Sequence, residues 1–215
     1  MSTVTDSAYP EHLETELADA GREVISKKLT WGHSGNFSVR IDAQRFLISG
    51  RGARLNELNK ANLVVCSIVD PTAHGPGTPS VEAPMHAAVY RSCLQAGSVL
   101  HTSAPCTTLV ACSAEVLPTE MNTDALHYVG QVDRVAYHRP GGVELGEAVG
   151  QAAKEASVLL LSNHGSLVWG ASAQDALTKV EALEFLAWLV VTSRQARIPF
   201  VNLTQEQIRK FKYGT

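Results

Sequence analysis

One carboxylate and two histidines, carried by three well-separated segments, give this chain the residue types that hold a divalent metal ion and move a proton beside it. Glu82 lies in Pro79-Ser80-Val81-Glu82-Ala83-Pro84-Met85-His86, His101 in Val99-Leu100-His101-Thr102-Ser103, and His164 in Leu160-Leu161-Ser162-Asn163-His164-Gly165. Both histidines follow short apolar runs that read as buried strands, so each sits where a strand hands over to a loop. Open α/β sheets bind ligands there. Imidazoles and a carboxylate gathered at such an edge can hold a metal, and a metal with open positions polarises substrate oxygens. The plainer alternatives are a structural histidine at each strand end and a Glu82 that only complements a helix dipole. His86, one turn after Glu82, shares its face and reads as a packing or supporting residue, with a replacement ligand as the alternative.

Alternating helices and strands must position these groups. Residues 12–29 carry apolar side chains at helical spacing, and the Gly32-His33-Ser34-Gly35-Asn36 break is followed by an alternating strand at 37–41 with a hairpin partner at 46–48. Ser49-Gly50-Arg51-Gly52 reads as a turn, 63–69 as a strand, and 74–79 as a loop rich in breakers. Residues 82–95 form a helix with Ser80 as its expected cap and Pro84 tolerated in the first turn. The second half predicts strands at 98–100, 132–137, 158–161 and 167–169, and helices at 105–112, 144–156, from 172 to about 194, and 204–212. Residues 117–129 read as irregular, and Ser172-Ala173-Gln174-Asp175 as a capping box. No linker or repeat divides the chain, so one α/β domain over residues 1–215 is expected.

Composition narrows the function. With 45% hydrophobic and 18% charged residues in 215, the chain suits one globular domain with a substantial core. A formal net charge of −3 gives no global attraction to nucleic acid or acidic membranes. No apolar stretch reaches the roughly 18 residues of a membrane helix, and residues 2–14 lack a signal-peptide apolar core. A cytoplasmic site of action is expected, without nucleic-acid or membrane partners. Cys66, Cys93, Cys106 and Cys112 show no C-x-x-C spacing and read as small buried hydrophobes.

The segments Ser34-Gly35-Asn36-Phe37-Ser38-Val39-Arg40, Leu47-Ile48-Ser49-Gly50, Pro79-Ser80-Val81-Glu82 with Met85-His86, His101-Thr102-Ser103 and Leu161-Ser162-Asn163-His164-Gly165 occur in an order that resembles the class II aldolase/adducin family. That family includes fuculose-phosphate aldolase and ribulose-phosphate 4-epimerase. The resemblance implies a three-layer αβα sandwich with a mainly antiparallel central sheet, and homo-oligomers, often tetramers, with active sites between subunits. It implies a divalent metal, zinc first, with manganese, iron or cobalt as alternatives. Residue by residue it makes Glu82 the catalytic acid/base, His101 and His164 metal ligands, and Asn36, Ser49, Gly50 and Ser80 the holders of a substrate phosphate or carboxylate.

Three positions depart from the pattern. Ser103 stands where the family's second H-x-H ligand is expected, so Glu82 is expected to complete a two-histidine, one-carboxylate face. Asn122 matches a loop tyrosine that donates a proton in the aldolase, with Tyr128 as a substitute to be considered. Val81 replaces a second serine common in phosphate-binding relatives. Two function classes follow. The first is a metal-dependent carbon–carbon lyase, aldolase or decarboxylase, acting through an enediolate on a small hydroxylated or oxo acid or a sugar phosphate. The second is a non-catalytic module like the adducin head, with a degenerate metal site.

Overall fold

The protein is described by a computed structural model covering residues 8–72 and 74–214, so residues 2–7 of the polar N-terminal stretch lie outside the described residues. Its centre is a seven-stranded sheet: β1 (Asn36–Arg40), β2 (Arg45–Ser49), β3 (Leu63–Ser67), β4 (Ser98–Thr102), β5 (Val132–Val135), β6 (Val158–Leu161) and β7 (Gly165–Gly170), in the spatial order β3-β2-β1-β4-β7-β6-β5. The helices are α1 (Glu11–Ser26), α2 (Ala83–Ser92), α3 (Pro105–Ala111), α4 (Val143–Ala152), α5 (Ala173–Ala196) and α6 (Gln205–Tyr213).

Strand alternation divides the interior into two cores. Leu47, Val65, Val158 and Leu160 face a layer containing α1 and α5, with Leu17, Val24, Leu177 and Leu183. Their neighbours Phe46, Ile48, Val64, Cys66, Leu159 and Leu161 face the opposite layer, with Met85 and Val89 of α2 and Leu145 and Val149 of α4. Strands buried on both faces must be apolar at every position, which explains the continuous runs in β3 and β6. The result is the expected three-layer αβα sandwich.

Every strand pair is antiparallel except β5–β6. Helix α4 is the crossover that a parallel neighbour requires. Elsewhere the chain returns by hairpins, or its helical connection lands on a non-adjacent strand. The alternation of elements therefore does not make a parallel sheet.

Most differences from the expected elements lie at their ends. Helix α1 closes at Ser26 rather than 29, and α2 at Ser92 rather than 95, where Cys93 is already extended. Strand β4 runs two residues further than expected, through Thr102, because His101 pairs with both Asn36 and Leu167. The stretch expected to be irregular holds a 3-10 turn at Thr119–Met121 and a π-helical turn at Ala125–Val129. Ser172 does cap α5 by accepting from the Asp175 N–H, but the Asp175 carboxylate turns to the Ala171 N–H and Lys179. Only half of a capping box forms there. The reciprocal box is at α6, between Thr204 and Gln207. No helix among the described residues is long and apolar enough to cross a membrane.

Candidate metal centre and active-site cleft

Three elements end at one edge of the sheet and bring the site together. Strand β1 starts at Asn36, directly opposite His101 near the end of β4. The β6–β7 hairpin turns through Ser162-Asn163-His164, with Asn163 in the left-handed region at φ 57° and the His164 N–H donating to Leu161 O at 3.0 Å. Helix α2 begins after Glu82, which is the last non-helical residue and carries its carboxylate under the strand ends. The expected Ser80 cap does not form: its hydroxyl accepts from the Glu82 N–H at 3.3 Å, and no side chain caps α2. Pro84 in the first turn lacks an N–H, which leaves one fewer donor to be capped.

The carboxylate lies between the two imidazoles. His101 Nε2 is 3.4 Å from Glu82 Oε2 and His164 Nε2 is 3.2 Å from Oε1. One ligand atom from each of the three residues falls within 4.8 Å of the others, and the two rings are 4.7 Å apart, edge to face. His101 donates its Nδ1–H to Ser166 O at 2.8 Å, which fixes the tautomer and leaves the Nε2 lone pair facing Glu82. Asn36 donates Nδ2–H to Glu82 Oε2 at 2.8 Å, and its Oδ1 lies 2.5 Å from His86 Nε2.

Burial pushes the Glu82 carboxyl up, but the two histidines and the Asn36 amide outweigh it and hold the group down to about 2. Burial moves His101 the other way, below its ordinary value, against the pull of Glu82. A neutral imidazole beside an ionised carboxylate is the protonation state a metal ligand needs. Among the described residues, Glu82 Oε1 and His164 Nδ1 are buried with no hydrogen-bond partner. A buried polar atom left unpaired costs about 1–3 kcal/mol. A divalent ion held by Glu82 and the two Nε2 atoms that face it would pair Glu82 Oε1, so the donor set fits one. Ser103 adds nothing to it, because its hydroxyl is 2.8 Å from that of Ser34.

The cleft over the site has a volume of about 270 Å³, and its lining includes Asn36, Gly50, Ser80, Glu82, His101 and His164. Ser49 is not part of this lining. Its buried hydroxyl accepts from the Phe37 N–H at 3.1 Å across the β1–β2 pair. Gly50 lines the cleft, but its N–H is bonded to Asn62 O at 2.8 Å, and a Cβ there would stand 2.9 Å from the same oxygen. Close approach of two backbones therefore accounts for this glycine. Asn122 and Tyr128 lie outside the lining; Asn122 Oδ1 accepts from the Ala125 N–H at 2.8 Å, and Tyr128 stacks edge-on with His127.

The cleft also holds Arg51, which sequence reasoning misses, and His33, to which it gives only a weak claim beside a loop. Arg51 is the cationic arginine or lysine side chain at this cleft and continues into a neighbouring groove with Val81 and Pro140. An arginine between two glycines in the Ser49-Gly50-Arg51-Gly52 turn was the available signal. His33 holds Gly52 O at 2.7 Å through Nδ1 and so ties the 30–35 loop to that turn.

Proteins similar to this chain include a decarboxylase, a dehydratase and an aldolase. The chain is 28% identical over 193 residues to a 3-oxo-tetronate 4-phosphate decarboxylase of Haemophilus influenzae, covering 88% of this chain and 91% of the relative. It is 27% identical over 210 residues to a methylthioribulose-1-phosphate dehydratase of a Bradyrhizobium species, covering 89% and 95%. A solved structure of L-fuculose 1-phosphate aldolase superposes with a TM-score of 0.85 at 26% identity, covering 95% of this chain and 96% of that one. Residues 15–191 match the family described as Class II Aldolase and Adducin N-terminal domain. On that match, the resembling segments and the shared fold, the chain belongs to the class II aldolase and adducin family.

Proposed function

We propose that this protein is a metal-dependent lyase, acting as one domain over its full length on a small hydroxylated or oxo acid, most simply a phosphorylated one. The observation that carries the reading is the buried Glu82 carboxylate held ionised against two histidines, one with its tautomer fixed for ligation. The names of the relatives support the phosphorylated class.

His101, His164 and, at rest, Glu82 would hold the ion. Zinc comes first by family resemblance, while a two-histidine, one-carboxylate face also accepts iron, manganese or cobalt. When bound, the ion supplies positive charge that polarises a substrate carbonyl and stabilises an enediolate. Glu82 would move the proton to or from the reacting carbon. Asn36 and Ser80 orient the substrate's polar groups, and Arg51 takes its anionic end at the cleft mouth, where a guanidinium matches a phosphate or carboxylate in two-point fashion. Ser49 and the Gly50 amide support the walls instead.

Decarboxylation, aldol cleavage and dehydration all pass through an enediolate or enolate, so one site serves each. Asn122 stands where the aldolase's proton-donating loop tyrosine is expected. Aldol cleavage must protonate a departing alkoxide, whereas decarboxylation releases carbon dioxide and needs no such donor, so decarboxylation is favoured. The place of action is the cytoplasm and the working form a homo-oligomer. The test is a screen pairing 3-oxo acid phosphates and hydroxylated aromatic acids with sugar phosphates, reading carbon dioxide, aldehyde and dicarbonyl formation separately. Carbon dioxide release from an oxo acid is expected. Aldehyde release alone would make the protein an aldolase, and turnover insensitive to chelator would overturn the metal-dependent reading.

A further inference from the structure

A chain of hydrogen bonds runs from the ionised carboxylate into the core. Glu82 Oε2 accepts from Asn36 Nδ2 at 2.8 Å, Asn36 Oδ1 is 2.5 Å from His86 Nε2, His86 Nδ1 is 2.8 Å from Ser38 Oγ, and Ser38 Oγ is 2.8 Å from Tyr90 Oη. His86, Ser38 and Tyr90 are fully buried, and Asn36 nearly so. Asn36 and Ser38 stand two apart on β1, hence on one face. His86 and Tyr90 stand four apart on α2, hence on one stripe. Strand and helix therefore present polar side chains to each other, and Asn36, Ser38, His86 and Tyr90 each find a partner there.

The donors and acceptors in this chain can be assigned from Glu82 inward. Asn36 turns its amide nitrogen to Glu82 Oε2, to which it donates at 2.8 Å. Its carbonyl oxygen is then the atom left for His86, and it too only accepts. His86 Nε2 must carry the proton. Burial opposes a charge on this ring and holds it down to about 3. The neutral ring then has one acceptor, Nδ1, which takes the Ser38 hydroxyl proton, and Ser38 in turn takes that of Tyr90. Reversing any link places two acceptors or two donors face to face.

We propose that His86 is the positioning residue of Glu82: as its Nε2–H tautomer it donates to the Asn36 carbonyl and so locks the Asn36 amide nitrogen onto Glu82 Oε2. Without that lock the Asn36 amide can turn over and set its oxygen against the carboxylate. Glu82 would then lose the neighbour that holds it upright between His101 and His164. Ser38 and Tyr90 select the tautomer from the far side. The effect on catalysis rests on the lyase reading; the tautomer and the orientation of Asn36 do not.

Two measurements test it. In protein labelled with nitrogen-15 on histidine and asparagine, the His86 ring should be neutral, with its proton on Nε2 and a bare Nδ1. The Asn36 side-chain amide should be protected from exchange. A proton on Nδ1 of His86 in the wild-type protein overturns the proposal with no variant needed. His86→Phe keeps a ring in the cavity but removes both nitrogens, and His86→Gln returns an N–H toward Asn36. With folding checked by thermal melting, the first should lose Asn36 amide protection and the second keep it. Against a substrate found in the screen, His86→Phe should lower kcat about 10-fold or more, the range typical of residues that orient a ligand. KM should stay within about twofold, and His86→Gln should recover most of the loss. A folded His86→Phe with wild-type kcat and a protected Asn36 amide contradicts the proposal. If no substrate turns over, the lyase reading is what fails, and the spectroscopic result still decides this one.

Discussion

Opposing influences meet at Glu82. Burial alone would neutralise it, and the imidazoles and the Asn36 amide keep it charged. A buried carboxylate kept ionised can act as ligand and as base, and Glu82→Gln separates these proposed roles from its shape. That variant retains most hydrogen bonding but cannot accept a proton, so turnover should fall about 100-fold or more while substrate binding changes much less. Steady-state kinetics check this, and a Glu82→Gln enzyme with the wild-type kcat would show that Glu82 does not move the proton. Glu82, His101 and His164 are legible in the sequence because each sits at a recognisable junction of strand, loop and helix. The bonds of Ser49 and Gly50 are not legible. Ser49 reaches the Phe37 N–H and Gly50 the Asn62 carbonyl only because of how β1, β2 and the following loop pair, and local sequence does not show register. Arg51 is legible only as part of a turn, because nothing local says that the turn faces a cleft.

At the scale of elements, the hydrophobic alternation gives the strands and helices and even the two-sided burial of the sheet, but it is weak at element ends. Strand β4 carries His101 inside the sheet because two neighbours extend it, a tertiary effect that its own five residues do not announce. Sheet direction is hidden for a similar reason: it depends on which strands become neighbours, and only β5 and β6 are both adjacent and joined by a helix. The β6–β7 hairpin shows how tightly an element can fix a ligand. Gly165, just after His164, has φ 147°, and a Cβ there would lie 2.4 Å from Thr102 O and 3.6 Å from the His101 ring. Gly165→Ala must therefore move β7 away from β4 exactly where both histidines are seated, and should cost more than about 1 kcal/mol of stability. Urea unfolding measures the loss, and an unchanged midpoint would mean that this close approach does not constrain the hairpin.

For the whole molecule, the three layers bury both sheet faces within one chain, yet α5 keeps Phe185 and Trp188 about half exposed and stacked 5.9 Å apart. Of the other tryptophans, Trp31 is exposed, and Trp169 donates Nε1–H to Ala156 O and packs partly against the core. The aromatic pair on α5 is what favours association. Sedimentation velocity at micromolar protein should show a homo-oligomer, with a tetramer as the expected form, and a clean monomer would remove that expectation. The central claim is the metal site, and metal analysis of chelator-free protein tests it most directly. The wild-type protein should carry a divalent metal close to one per chain, and His101→Ala and His164→Ala should each lose it while remaining folded. Substoichiometric metal that neither substitution changes would contradict the account.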